Sequence, residues 1–134
     1  MMSFLDGFLG YNQIQVTEED QHKIAFTTPW GTFSYRRMPF GLINVGATFQ
    51  RVMSSTFGHL LNKCITVYLN DMTIFSRQRK KHLKDLRKVL EKCREHGISL
   101  NPKKSIFAVT KGRLLGHIVS KEGIKIDSER VKAI

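Results

Sequence analysis

Two aspartates border apolar stretches in a way that metal chemistry could use. Asp6 closes the run "SFLD" (3–6), and Asp71 stands at the tip of "CITVYLNDMTIF" (64–75), which reads as a strand, the polar turn Asn70-Asp71, and a second strand. If the strands that carry them are neighbours in one sheet, both carboxylates face one point at its rim. Carboxylates held a few ångströms apart repel, and a hard cation between them removes the repulsion. Mg²⁺ takes near-octahedral oxygen coordination at about 2.0–2.1 Å, commonly from one or two carboxylates, water and phosphate oxygens. A pair of such ions stabilises both the attacking and the leaving oxygen in phosphoryl transfer. Asn and Asp also suit turns, so spacing alone leaves a purely structural role open for Asp6, Asn70 and Asp71.

Periodicity supplies the elements that must position these residues. "SFLDGFLGYNQIQV" (3–16) reads as a strand, a turn loosened by Gly7 and Gly10, and a further extended or short helical piece. An acidic turn follows, then a strand over 23–28, a turn at Pro29-Trp30-Gly31, and the alternation of Phe33 with Tyr35, which together predict a hairpin. Ala47, Phe49, Val52, Met53, Phe57, Leu60 and Leu61 recur at three- and four-residue spacing and predict a helix over about 45–61. The hairpin of 64–69 and 72–76 comes next. Over 79–96, Leu83, Leu86, Val89, Leu90 and Cys93 form one apolar stripe on a densely basic helix, with Gly97 as its C-cap. Beyond it, short strands are expected on either side of Asn101-Pro102 and Gly112, then a helix start capped by Asp127 or Ser128. The order predicts an α+β fold, an antiparallel sheet with helices packed on one face.

The composition sets bounds. At 134 residues, 41% hydrophobic and 25% charged, the chain is long and apolar enough for one folded domain. Its 22 Lys and Arg against 11 Asp and Glu, a net +11, favour a polyanionic partner, because each cation that neutralises a phosphate releases a counterion. Cys64 and Cys93 have no zinc-like spacing, and no signal peptide or membrane span is evident, so an intracellular setting, cytoplasmic or nuclear, is expected and a membrane is not.

Five stretches in order, "FLDGFLGYNQI", "MPFGLINVGATFQ", "YLND", "LNPKKSIF" and "LLGHIVSKEGI", resemble the palm motifs of retroelement reverse transcriptases, most closely the Ty3/gypsy class of long-terminal-repeat retrotransposons. The resemblance covers nearly the whole chain. It implies a polymerase palm, an RNA or DNA template-primer and deoxynucleoside triphosphates as partners, and Mg²⁺, or Mn²⁺ in its place, as cofactor. It implies a ligand role for Asp6 toward both metal ions, and a place for Asp71 in the same metal set. Tyr11 matches the aromatic that packs under the incoming sugar. Phe40 and Gly41, with Pro39, match the motif that opens the helix beneath nucleotide and template. Lys103 or Lys104 resembles the basic position near the triphosphate, and Leu115, Gly116 and His117 resemble the turn that grips the primer.

The sequence departs from the family pattern where it matters most. Asn70 replaces the first of two aspartates, so three carboxylates become two. At an effective dielectric near 20, one unit charge about 4 Å from an ion is worth roughly 4 kcal/mol per charge product. At about tenfold in rate per 1.36 kcal/mol, severe impairment is expected. Val45-Gly46 stands where the family writes Ala-Pro, which weakens the helix start. The chain 1–134 corresponds to a palm fragment, with the fingers segment, most of the thumb and RNase H expected to be absent, and the rest of a retroelement polyprotein a candidate partner. Three readings follow: an RNA-directed DNA polymerase, a non-catalytic nucleic-acid-binding module, and a retroelement relic without activity.

Overall fold

The computed structural model describes residues 1–8 and 10–131. Strand β1 (Met2–Asp6) leads through a 3₁₀ turn (Gly10–Gln13) and the short helix α1 (Glu18–Gln21) into the hairpin β2 (Ala25–Thr28) and β3 (Gly31–Ser34). Helix α2 (Val45–Phe57) follows, then the hairpin β4 (Ile65–Tyr68) and β5 (Asp71–Phe75), and helix α3 (Arg79–Glu95). The chain continues through β6 (Ile106–Val109), β7 (Lys111–Leu114), β8 (His117–Ser120) and β9 (Gly123–Ile126) to the helical turn α4 (Ser128–Val131). The Asp127 carboxylate accepts the Glu129 N–H at the start of α4. The expected continuation of that helix past 131 lies outside the described residues.

Strands β4, β5, β1 and β6 form, in that order, one antiparallel sheet, while β2-β3 and β7-β8-β9 form two smaller ones. Alternation sorts the four-stranded sheet into two faces. The register pairs Ile65 with Ile74, Val67 with Met72, Leu5 with Met72 and Ser3 with Ile74, so these side chains share a face, and all are buried. Phe49, Met53 and Phe57 of α2 and Val89 and Cys93 of α3 close the core on that side. A large apolar side chain fully buried in this way contributes about 1.5–3 kcal/mol. Phe4, Asp6 and Asp71 take the other face.

Helix α3 does not bury the apolar stripe that its sequence suggests. Val89 and Cys93 enter the core and Leu86 packs against it, yet Leu83 is 73% exposed and Leu90 37% exposed. The helix turns His82 and Asp85 inward instead. These polar groups are tolerated because each finds a partner. Ser3 Oγ lies 2.7 Å from His82 Nε2, His82 Nδ1 lies 3.2 Å from Ser76 Oγ, and Ser76 donates to Asp85 Oδ2 at 2.7 Å. Ser3 Oγ also accepts the Ala108 N–H at 2.9 Å. One donor order satisfies the whole chain: Ala108 N–H to Ser3, Ser3 O–H to Nε2, Nδ1–H to Ser76, Ser76 O–H to Asp85. It requires a neutral His82 carrying its proton on Nδ1, and burial pushes that imidazole below its ordinary pKa.

Two boundaries also differ from expectation. The β4-β5 loop is Leu69-Asn70, with Leu69 at φ +52°, so Asp71 is the first residue of β5 and pairs with Tyr68 rather than sitting in the turn. Gly112 lies inside β7 rather than between strands. A Cβ there would come within 2.1 Å of the Phe4 ring, so the absence of a side chain lets β7 close over β1.

Candidate active site

Asp6 ends β1, Asp71 begins β5, and the two are direct cross-strand partners. Backbone bonds hold both ends of this pairing. Gly7 N–H donates to the Asn70 carbonyl at 2.9 Å, and Asn101 N–H donates to the Asp6 carbonyl at 2.8 Å. Two carboxylates on one face of a sheet repel. Burial first, and Asp6 second, push the Asp71 carboxyl above its ordinary pKa, while Lys104 pulls the other way. A turn supplies that lysine: the Asn101 side-chain oxygen accepts the Lys103 N–H at 3.1 Å, and the Asn101 carbonyl accepts the Lys104 N–H at 3.3 Å.

These groups open onto a cleft of about 290 Å³. Phe4, Asp6, Asp71 and Thr73 form its floor, and Lys104, Arg113 and Leu115 stand at its wall. Leu115 and Gly116 both have positive φ, +50° and +79°, and make the two-residue turn from β7 to β8. Gly116, His117 and Lys103 are not among the side chains lining the cleft. The His117 ring stays local, with Nδ1 3.2 Å from the Leu115 carbonyl. Arg113 went unnoticed in the sequence, although it immediately precedes Leu114-Leu115-Gly116. Its charge is directed at Asp127, 3.0 Å away, and Glu129, 2.8 Å away.

Tyr11, Phe40 and Asn70 gather apart from that cleft. Tyr11 meets Phe40 edge-on at 5.2 Å and Phe49 of α2 at 5.3 Å, so one edge of the cluster rests on the core. Phe40 remains exposed, and Gly41, at φ +96°, has open space where a side chain would be. The Asn70 carboxamide lies against Gly10, beside Tyr11, and is not among the groups lining the Asp6–Asp71 cleft. Among the described residues its Oδ1 is the buried side-chain oxygen without a hydrogen-bond partner. Gln13 ties the segment down: it donates to the Phe8 and Ser99 carbonyls and accepts the Ser99 N–H at 2.7 Å. A larger cavity of about 550 Å³ sits at the far end of β5 and holds a single acid, Asp85, already bonded to Ser76.

The donor chemistry fits a hard divalent ion at Asp6 and Asp71. The two carboxylates are opposed on one face, and burial and Asp6 raise the Asp71 pKa, a cost that a bound cation would relieve. No cluster of three or more acidic, His or Cys ligands occurs among the described residues.

The family model for reverse transcriptase (RNA-dependent DNA polymerase) matches residues 1–119. The chain belongs to the reverse transcriptase family. Its relatives agree with the gypsy-class resemblance of its motifs. The reverse transcriptase segment is 43% identical over 125 residues to the retrovirus-related Pol polyprotein from transposon 297 of Drosophila melanogaster, covering 93% of this chain and 12% of that protein. It is 35% identical over 130 residues to the corresponding polyprotein from transposon gypsy of the same organism, covering 97% and 13%. The segment thus spans about an eighth of those polyproteins. Its fold matches the foamy viral protease-reverse transcriptase in complex with RNA/DNA hybrid, at TM-score 0.87 and 26% identity, over 98% of this chain and 18% of that one. A second foamy viral structure, in complex with dsDNA, gives TM-score 0.86 over 99% and 28%. Among the described residues no helix is long and apolar enough to cross a membrane.

Proposed function

We propose that this segment is the palm of an RNA-directed DNA polymerase that works on a template-primer within a longer Pol polyprotein, with a nucleotidyl-transfer site attenuated by Asn70. The observation that carries the reading is the cross-strand pairing of Asp6 with Asp71 at the rim of the sheet. The foamy viral matches, in complex with RNA/DNA hybrid and with dsDNA, support nucleic acid as the partner, as does the net charge of +11. Asp6 and Asp71 would hold Mg²⁺, or Mn²⁺ in its place, which when bound neutralises phosphate charge and favours ionisation of the primer 3′-hydroxyl. Lys104 offsets anionic charge beside Asp71 where a triphosphate would lie. Tyr11 and Phe40 give an apolar platform for sugar and base, and the Leu115-Gly116 turn bears on the primer from the opposite wall. Asn70, its carboxamide turned to Gly10, contributes no charge, so the site would hold cations less tightly than one with three carboxylates.

Primer extension on an RNA template, with the native chain run beside Asn70→Asp in Mg²⁺ and in Mn²⁺, tests this. The expected result is extension by Asn70→Asp that exceeds the native rate by at least about a hundredfold, the equivalent of roughly 2.7 kcal/mol. Equal rates would show that the amide is no lesion. Absence of extension by both folded proteins would favour the second reading, a binding module that keeps the basic surface and needs no divalent ion.

A further inference from the structure

Helix α3 carries more apolar surface than its own fold uses. The core-facing side is His82, Asp85, Val89 and Cys93. Leu83, Leu86 and Leu90, at i, i+3 and i+7, form a second stripe beside it, with Leu83 73% exposed and Leu90 37% exposed. That spacing places the three leucines along one line of the helix surface. They line a shallow groove of about 370 Å³ together with Arg87, Glu91 and Arg94. An exposed leucine alone means little. Three in register beside a groove make a face of the kind that receives another helix.

The charge around the groove says what kind of helix. Arg87 and Arg94 rim it with one acid, Glu91, and among the described residues neither arginine takes part in an ion pair. Further along α3, Lys92 is engaged by Glu95 at 2.7 Å, whereas Lys80 and Lys84 add cations that form no ion pair among the described residues. A second copy of the chain would bring another +11 and the same arginines, so self-association is opposed. A nucleic-acid backbone would satisfy the arginines and leave the leucines uncovered. We propose that the Leu83-Leu86-Leu90 face of α3 docks an acidic amphipathic helix of a partner protein, with the partner's apolar residues between these leucines and its carboxylates on Arg87 and Arg94. The surface belongs to the outer side of α3, away from the Asp6–Asp71 cleft, and its role stands apart from polymerisation.

The probe is a fluorescent synthetic helix of about 18 residues, with leucines at i, i+3 and i+7 and glutamates flanking them. A control peptide keeps every glutamate and replaces the leucines with serine. Binding to the purified chain is read by anisotropy, with no primer, nucleotide or divalent ion present, so the outcome is independent of the polymerase reading. The expected result is at least about tenfold tighter binding of the leucine peptide than of the control. Leu83→Gln should weaken it about tenfold, and Arg87→Gln together with Arg94→Gln should reduce its salt dependence. Leu83 is exposed enough for the variant to fold, which circular dichroism verifies. Equal binding of the two peptides, or binding unaffected by Leu83→Gln, would mean that net charge alone attracts the probe and would overturn the proposal. Self-association of the native chain that Leu83→Gln abolishes would make a second copy the occupant, and would overturn it equally.

Discussion

Gly10 makes room for the Asn70 carboxamide: a Cβ at position 10, where φ is +38°, would lie 2.4 Å from both the nitrogen and the oxygen of that side chain. The amide is therefore packed in place, with its Oδ1 buried and, among the described residues, unpartnered. Asn70→Asp puts a carboxylate into that setting. Burial without a partner raises the new group's pKa, so the variant matches the native chain below the unfolded carboxylate value and loses ground as pH rises toward neutrality. The expected loss at pH 7 without divalent ions is about 1–3 kcal/mol. Urea unfolding with and without Mg²⁺ checks this, since the ion should restore stability to Asn70→Asp more than to the native chain.

Asp71 already bears a load of the same sign. Its folded pKa is raised by burial and by Asp6, so its contribution to stability is full below the unfolded value and lost as pH rises through the folded one. Asp71→Asn should therefore raise the melting temperature at pH 7 and leave it unchanged near pH 3. The same variant should lose the Mg²⁺-dependent stabilisation that the native chain shows. Thermal scans at the two pH values, with and without Mg²⁺, measure both effects.

Gly112 and Phe4 set the distance between β7 and β1. Gly112→Ala forces the Phe4 ring to move from a contact that would otherwise fall to 2.1 Å, at a cost of about 1–3 kcal/mol. Phe4→Leu removes the clashing ring carbons, so the double variant should be more stable than the sum of the single changes implies. A double-mutant cycle by denaturant unfolding gives the coupling directly.

His82 predicts a loss of stability on acidification. Burial, above all, holds its pKa below the ordinary 6.5. A lowered folded pKa gives stability that is present above pH 6.5 and lost as pH falls through the folded value. The urea midpoint should therefore drop between pH 7.5 and pH 5.5. His82→Gln should flatten that drop while costing about 1–3 kcal/mol at pH 7.5, because Ser3 and Ser76 lose a shared partner.

Local pattern was enough for much of this fold, and its failures have physical reasons. The β4-β5 hairpin, α2 and the span of α3 all follow from periods of two and about 3.6 residues, and all are found. Hydrophobicity alone does not decide the inward side of α3. His82 is instead buried by Ser3, 79 positions away, a partner that no window along the chain contains. The polar pair Asn70-Asp71 predicts a turn one residue later than the observed Leu69-Asn70 loop, because Leu69 is not a residue expected at positive φ. Gly112 was read as a break because glycine usually punctuates, whereas here it answers to Phe4, far away in sequence. Asp6 and Asp71 could be nominated from residue type and the family pattern. Their direct pairing depended on β5 lying beside β1, a long-range fact.

Strand β1 has five residues, neighbours on both sides, Ser3 and Leu5 toward the helices and Phe4 and Asp6 toward the cleft. Because its period is two, losing or gaining a single codon within it would reverse every side chain at once. Leucine would then face the cleft, and an aspartate would face Met72 and the helices. Substitutions here can be graded by size and charge, but a one-residue indel cannot. This short strand should therefore keep its length, and length variation should collect in turns such as Lys121-Glu122 between β8 and β9.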